Sequence, residues 1–298
     1  MRLVTFDRAG ERARVGLLHD ADTLIDLAAV GAQAPFDVTD MVALIAAGDA
    51  ALAWLRGVAA QAPASARIAL RDVHLCAPIP RPRKNVFCVG WNYLEHFEEG
   101  AQSRTHVTEM PDHPTFFTKA PTAVNGPFDD VPAHAHVTAK LDWEVELGVI
   151  VGRAGRDLAE ADALRHVFGY TVINDVSARE VQRRHGQQWF KGKSLDGHCP
   201  MGPWIVTADE VADPSGLAVV CRVNGVVKQS SNTKHMYFKL PRILAELSAG
   251  MTLEPGDIVS TGTPSGVGHA RTPPEFMQPG DVLETEVVGL GMLRNRIV

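Results

Sequence analysis

Residues 141–151 read LDWEVELGVIV, and this stretch decides the fold. As a strand it places Asp142, Glu144 and Glu146 on one face and Trp143, Val145 and Leu147 on the other, because side chains alternate with period 2. Three like charges on one face repel. The row is therefore either the solvated face of a half-exposed strand or a buried set that needs a cation or protons. The direct run onward into the apolar GVIVG (148–152) is that of a strand covered on both faces.

Short apolar segments on either side extend the pattern: NVFCVG (85–90), TFFTKA (115–120), GYTVINDV (169–176), GPWIVT (202–207), LAVVCRVNGVVK (217–228), DIVSTGT (257–263) and VLETEVVGLGMLRNRIV (282–298). Helical spacing is confined to Leu158–His166, Ala178–His185 and Leu240–Ala249, too little for a strict βαβ alternation. Pro-Gly-Asp recurs at 255–257 and 279–281, each time before an apolar strand, as a repeated turn. Before residue 77 the chain reads as a meander (LVTF, ARVGLL, TLIDL). A helix follows from Met41 to about Ala62, with Asp37 and Thr39 as candidate N-caps and Gly48 interrupting its apolar face, and then a strand, ARIALRDVHL (66–75). CAPIPRPRK (76–84) carries three alternating prolines that force an extended segment. The expected fold is α+β and mostly β, with a small N-terminal α+β domain (1–77) and a mixed β-sandwich or β-roll with flanking helices (78–298).

Composition narrows the function classes. The 298 residues hold 35 Asp plus Glu against 29 Lys plus Arg, a net charge of −6, which disfavours nucleic acid as a partner. No run of about 18 apolar residues offers a membrane span. The first residues, MRLVTFDRAGER, lack the apolar centre of a signal peptide. Four scattered cysteines (Cys76, Cys88, Cys199, Cys221) fit reduced thiols. A cytoplasmic protein is expected.

A further acid, Asp175, stands where an apolar strand gives way to a polar, helix-like segment; alone it would read as an N-cap. With Glu144 and Glu146 it makes an all-oxygen site suited to Mg²⁺, Mn²⁺ or Ca²⁺, with no nearby Cys or His pair for zinc. In VGWNYLEHFEEG, His96 and Glu99 share one face of a helical turn, so the carboxylate can orient the imidazole as a general base. An isolated HxxE is equally an ordinary solvated turn. The polar stretch after it, to Pro114, reads as part of a lid. Gly192-Lys193-Ser194 resembles the end of a phosphate-binding loop, but five residues separate Gly186 from Gly192 where the motif has four, and Gln, Trp and Phe fill the gap. Lys193 is then either a cation for a reacting oxyanion or a surface lysine. STGTPSGVG (260–268) lacks dinucleotide spacing, yet its glycines and Thr263 can face an anion or simply make a tight turn.

Together, KNVFCVGWNYLEHFEE, FFTKAPTAVNGP, LDWEVELGVIVG, GYTVINDVSARE, KGKSLDGHCPMGPWIV, VNGVVKQSSNTKHMYF and PGDIVSTGTPSGVG resemble the fumarylacetoacetate hydrolase family, in the family's order and through nearly all of residues 84–298. The resemblance implies a usually dimeric enzyme with Mg²⁺ or Mn²⁺ held by Glu144, Glu146 and Asp175, and Asp142 as a neighbour of that set. It implies His96 and Glu99 as the lid dyad and Lys193 as the catalytic lysine. Arg179, Gln182 and Thr263 fall where acylpyruvate-cleaving members hold substrate; Glu180 departs from the family's usual Asp.

The implied reaction is metal-dependent hydrolysis of a C–C bond in a β-diketo acid of acylpyruvate or fumarylpyruvate type, through an enolate, with His96 activating water and Lys193 stabilising the oxyanion. The same resemblance admits isomerisation, decarboxylation or hydration of 2-oxo or unsaturated diacids in aromatic catabolism, and ureidoglycolate lysis. A binder of small acids without catalysis is the reading from a different class, and an intact His96, Glu99 and Lys193 speak against it.

Overall fold

The computed structural model describes residues 1–8, 11–101, 108–186 and 188–298. Part of the expected lid, residues 102–107, lies outside the described residues. The N-terminal meander is β1 (Arg2–Asp7), β2 (Arg14–Leu18) and β3 (Thr23–Asp26), followed by a single helical turn, α1 (Leu27–Val30). The expected long helix is two, α2 (Met41–Ala46) and α3 (Gly48–Gln61). The break falls at Gly48, whose φ of +56° lets the chain turn. The cap of α2 is Asp40, accepting from Ala43 N at 2.8 Å, whereas Asp37 closes a turn on Thr39 N. The segment read as one strand over 66–75 is likewise two, β4 (Arg67–Ala69) and β5 (His74–Cys76), separated by a 3₁₀ turn.

The remaining strands are β6 (Val86–Gly90), β7 (Thr115–Lys119), β8 (Val124–Asn125), β9 (Leu141–Asp142), β10 (Val145–Val151), β11 (Val167–Asn174), β12 (Ser177–Ala178), β13 (Cys199–Thr207), β14 (Ala218–Val223), β15 (Val226–Asn232), β16 (Ile258–Ser260), β17 (Val282–Val287) and β18 (Gly291–Arg296). The helices between them are α4 (Leu94–Glu99), α5 (Glu160–Ala163), α6 (Arg179–Arg184), α7 (Phe190–Lys193) and α8 (Leu240–Ser248). The main sheet runs β4-β3-β2-β1-β13-β11-β10-β16-β6-β7, so the N-terminal meander continues the central sheet through the pairing of Leu3 with Ile205. A four-stranded sheet, β15-β14-β17-β18, alternates buried and half-buried positions along β14 and β17, as a sheet covered on one face does.

The strand β10 lies between two apolar layers. Val145, Leu147, Val149 and Val151 pack with Val219, Cys221, Leu283 and Leu293 of the four-stranded sheet, while Ile150 joins Leu3, Leu17, Leu44 and Leu55 on the other side. All seven residues of β10 are buried, which forces any carboxylate on it to be compensated inside the protein. Among the flanking helices, α8 turns Leu240, Ile243, Leu244 and Leu247 inward, the i, i+3, i+4, i+7 stripe of an amphipathic helix.

Topology gathers several strand ends. The parallel neighbours β6 and β16 bring the loops that follow them to one end of the sheet. Because β10 is antiparallel to β16 and β11 to β10, the start of β10 and the end of β11 meet at that same end.

Candidate active site

The row of acids is present and buried, but its strand is interrupted. Between β9 and β10 the ladder gives way at Trp143 and Glu144, where side chains take over the backbone: Asn174 Oδ1 accepts from Glu144 N at 3.1 Å and Gln229 Oε1 from Val145 N at 2.9 Å. Asp175 N returns a bond to Glu144 O at 2.9 Å, which ties the end of β11 to the break. Ligand oxygens of Glu144, Glu146 and Asp175 thereby lie within 4.8 Å of one another. Asp142 faces elsewhere. It accepts from Gly268 N (2.6 Å), His269 N (3.0 Å) and Arg179 Nε (2.8 Å), a set of donors that holds its carboxyl down to about 2 against the cost of burial.

Cations enclose the three clustered acids. Lys193 Nζ lies 2.7 Å from both Glu144 Oε2 and Asp175 Oδ2, and Lys119 Nζ lies 2.5 Å from Asp175 Oδ1. Arg179 spans Asp142 and Glu144, reaching Glu144 Oε1 at 2.7 Å, and its Nη1 donates to Gln182 Oε1 at 3.3 Å. Burial opposes ionisation of Glu144, but Lys193 and Arg179 win and hold it well below the usual carboxylate range. Glu146 has weaker support, from Ser260 Oγ (2.6 Å) and Gly262 N (2.8 Å), so burial and the neighbouring Asp175 and Glu144 push it well above that range.

The charge count tests the fit of a cation. Four buried carboxylates (Asp142, Glu144, Glu146, Asp175) face three buried cations (Lys119, Arg179, Lys193), an excess of one carboxylate, and Glu146 is the one whose charged form the surroundings disfavour. A divalent ion among these acids would offset that excess and relieve the repulsion on Glu146. The donors are all oxygen, converge from two strands, and suit a hard divalent ion.

His96 and Glu99 come together on α4 as the spacing required. His96 Nδ1 and Glu99 Oε1 are 2.8 Å apart, and Glu99 Oε2 accepts from Gly266 N at 2.8 Å, which fixes the dyad to the glycine loop after β16. The carboxylate holds the hydrogen on Nδ1 and leaves the Nε2 lone pair available. His96 is buried and near enough to Glu144 to help keep the Glu144 carboxylate ionised. Asn92 anchors the approach to α4: its amide donates to Phe238 O (3.1 Å) and Thr261 O (2.7 Å) and accepts from Phe238 N (2.7 Å).

Thr263 lies beside this group with its hydroxyl committed, donating to Val145 O at 3.0 Å and accepting from Gln229 Nε2 at 2.8 Å. All nine expected site residues therefore belong to one hydrogen-bonded neighbourhood. Three participants escaped the sequence: Lys119, Gln229 and Asn92. The signal for Lys119 was in TFFTKA, where alternation puts a lysine on the same face of its strand as Phe117, and it is fully buried. The four cysteines are free, and among the described residues no helix is long and apolar enough to cross a membrane.

The chain is similar to known proteins along nearly its whole length. The chain is 42% identical over 297 residues to "Oxaloacetate tautomerase YisK" of Bacillus subtilis, covering 96% of each chain. The fumarylacetoacetate hydrolase (EaFAH) of Exiguobacterium antarcticum superposes with a TM-score of 0.81 at 41% identity, covering 100% of this chain and 99% of that one. Maleylpyruvate hydrolase from Sphingobium sp. SYK-6, solved in complex with manganese(II) ion and pyruvate, superposes at 0.77 with 32% identity, covering 100% and 99%. The family model for the C-terminal region of fumarylacetoacetate (FAA) hydrolase matches residues 85–298, the span that carries every carboxylate, cation and dyad residue described above, and the chain belongs to the fumarylacetoacetate hydrolase family.

Proposed function

We propose that this enzyme interconverts the keto and enol forms of a short 2-oxo diacid of the oxaloacetate type, an isomerase reaction. The observation that carries this reading is the His96–Glu99 dyad, held by Gly266 beside the buried carboxylates. A divalent cation at Glu144, Glu146 and Asp175 would supply Lewis-acid polarisation of the 2-oxo carbonyl. His96 Nε2 takes the proton from the carbon next to the 2-oxo group, the electron pair moves to the carbonyl oxygen, and that oxygen takes a proton from solvent to complete the enol while His96 returns its own to solvent. In the return direction the same nitrogen delivers the proton to carbon. Glu99 keeps the ring oriented and stabilises its charged form during transfer.

Hydrolysis asks for more. It needs an activated water and a donor for the second oxyanion at the distal carbonyl. The two cations available for that role, Lys193 and Arg179, are both paired with carboxylates. Proton transfer at one carbon needs neither, and the name carried by the Bacillus subtilis relative favours it. C–C cleavage of an acylpyruvate- or fumarylpyruvate-type substrate is the second reading, favoured by the likeness to the Sphingobium maleylpyruvate hydrolase.

Product analysis separates the two. The Mg²⁺- or Mn²⁺-loaded protein is incubated with oxaloacetate and with a panel of acylpyruvates, with and without chelator, and the products are followed by NMR. Metal-dependent enol–keto exchange without smaller fragments supports the tautomerase; release of two acids from an acylpyruvate, with no effect on oxaloacetate, supports the hydrolase.

A further inference from the structure

A second group of metal-type ligands among the described residues lies where the N-terminal meander meets the rest of the chain. β1 and β5 pair antiparallel with Asp7 opposite His74 and Thr5 opposite Cys76. Period 2 then puts His74 and Cys76 on the same face as Asp7, while Leu75 turns to the apolar side with Val4 and Phe6. Three ligand atoms converge: Asp7 Oδ2 is 3.2 Å from His74 Nδ1 and 3.3 Å from Cys76 Sγ, and Sγ is 3.9 Å from Nδ1. Zinc bonds to sulfur, nitrogen and oxygen at tetrahedral angles place neighbouring ligand atoms about 3.3–3.6 Å apart. The triangle is already close to one face of that tetrahedron.

A second observation points the same way. The opposite ring nitrogen, His74 Nε2, lies 2.6 Å from Asp129 Oδ1. A carboxylate on the far nitrogen is the outer partner that metal-bound histidines have, fixing the tautomer and strengthening the ligand. Asp129 is itself held: its Oδ2 accepts from Gly126 N at 3.2 Å and its carbonyl from Asn295 Nδ2 at 2.7 Å. The side chains of His74 and Asp7 are 48% and 30% exposed, so a fourth position is open to water.

We propose that Asp7, His74 and Cys76 bind a borderline divalent ion of the zinc type, with Asp129 orienting His74. The thiolate and imidazole set this site apart from the all-oxygen cluster at Glu144, Glu146 and Asp175, which suits hard ions. Because Asp129 belongs to the loop after β8, an ion here ties β1 and β5 to that loop. On binding, Cys76 gives up its proton to solvent and the sulfur takes the metal.

The test uses chelator-treated full-length protein saturated with Mg²⁺, which occupies the all-oxygen cluster, and then titrated with Co²⁺. A thiolate-to-cobalt charge-transfer band should rise to one equivalent. It should vanish in Cys76→Ser and His74→Asn while circular dichroism and Mg²⁺-supported activity stay unchanged, and Asp129→Asn should weaken Co²⁺ binding about 10–100-fold. A spectrum without that band, or a band that survives Cys76→Ser, would overturn the site; binding unchanged by Asp129→Asn would overturn the orienting role.

Discussion

Lys193 Nζ stands 2.7 Å from Asp175 Oδ2, joining α7 to the end of β11 inside the protein. The other oxygen of Asp175 is taken by Lys119, so one buried carboxylate is shared by two buried ammonium groups. Such a group is tolerated only because each charge has a partner.

Removing one partner exposes that dependence. Lys119→Met should destabilise the metal-free protein by about 3 kcal/mol, the lower end for a broken buried pair, because Asp175 keeps Lys193. The same variant should bind Mg²⁺ or Mn²⁺ more tightly, since a positive charge has left the site. Urea denaturation and metal titration measure the two effects. A stability loss under about 1 kcal/mol with unchanged metal affinity would contradict the pairing.

The dyad makes a kinetic claim. His96→Ala should lower kcat by about 10²–10⁴-fold, the usual range for a positioned acid–base group. Glu99→Gln keeps an oxygen for Gly266 N but loses the charge that orients His96, so kcat should fall while KM changes little. Steady-state kinetics at fixed metal concentration decide this; activity within twofold of wild type in Glu99→Gln would remove Glu99 from the mechanism.

Gly262 couples the loop to the acids. Its φ is +97°, a Cβ there would lie 2.6 Å from Asn92 Cβ and 2.9 Å from Val89 O, and its N–H is donated to Glu146 Oε2. Gly262→Ala should cost about 1–3 kcal/mol in backbone strain and also weaken metal binding by displacing Glu146. Thermal unfolding and metal titration on the variant provide the check, and wild-type values in both would refute the coupling.

A buried histidine sets an acid limit on stability. His198 donates from Nε2 to Pro132 O at 2.8 Å, and burial lowers its pKa to about 3. The folded protein therefore keeps it neutral while the unfolded chain takes up a proton below the ordinary histidine value of 6.5. Stability from this residue is complete above pH 6.5 and declines as pH falls towards 3, by up to about 1.4 kcal/mol per unit. In His198→Phe the loss of stability between pH 6.5 and 5 should be smaller by about that slope; equal slopes would contradict the assignment.

Much of this was legible in sequence because it follows from period and chemistry. The alternation of Asp142, Glu144 and Glu146 against an apolar continuation pointed to a buried acid row, and the three-residue spacing of His96 and Glu99 to a shared helical face. What escaped rests on long-range partners. The interruption between β9 and β10 arises because Asn174 and Gln229, 30 and 84 positions away, take the backbone N–H groups of Glu144 and Val145. Lys119 looks in sequence like any lysine closing a strand. Thr263 and Arg179, expected at the substrate, also have partners within the protein that no spacing announced: Thr263 bonds to Val145 O and Gln229, and Arg179 bonds to Asp142 and forms an ion pair with Glu144. The cap at Asp40 rather than Asp37 or Thr39 depended on which of three adjacent candidates reached Ala43 N.

The most direct test of the central claim is the rate at which the enol absorbance of oxaloacetate decays with wild-type protein, with His96→Ala and with chelator, in the presence of Mg²⁺ or Mn²⁺. The expected result is decay by wild type well above the buffer rate, lost on chelation and reduced at least about 100-fold in His96→Ala. Decay at the buffer rate with metal-loaded wild type, or equal rates in wild type and His96→Ala, would contradict proton transfer by this dyad.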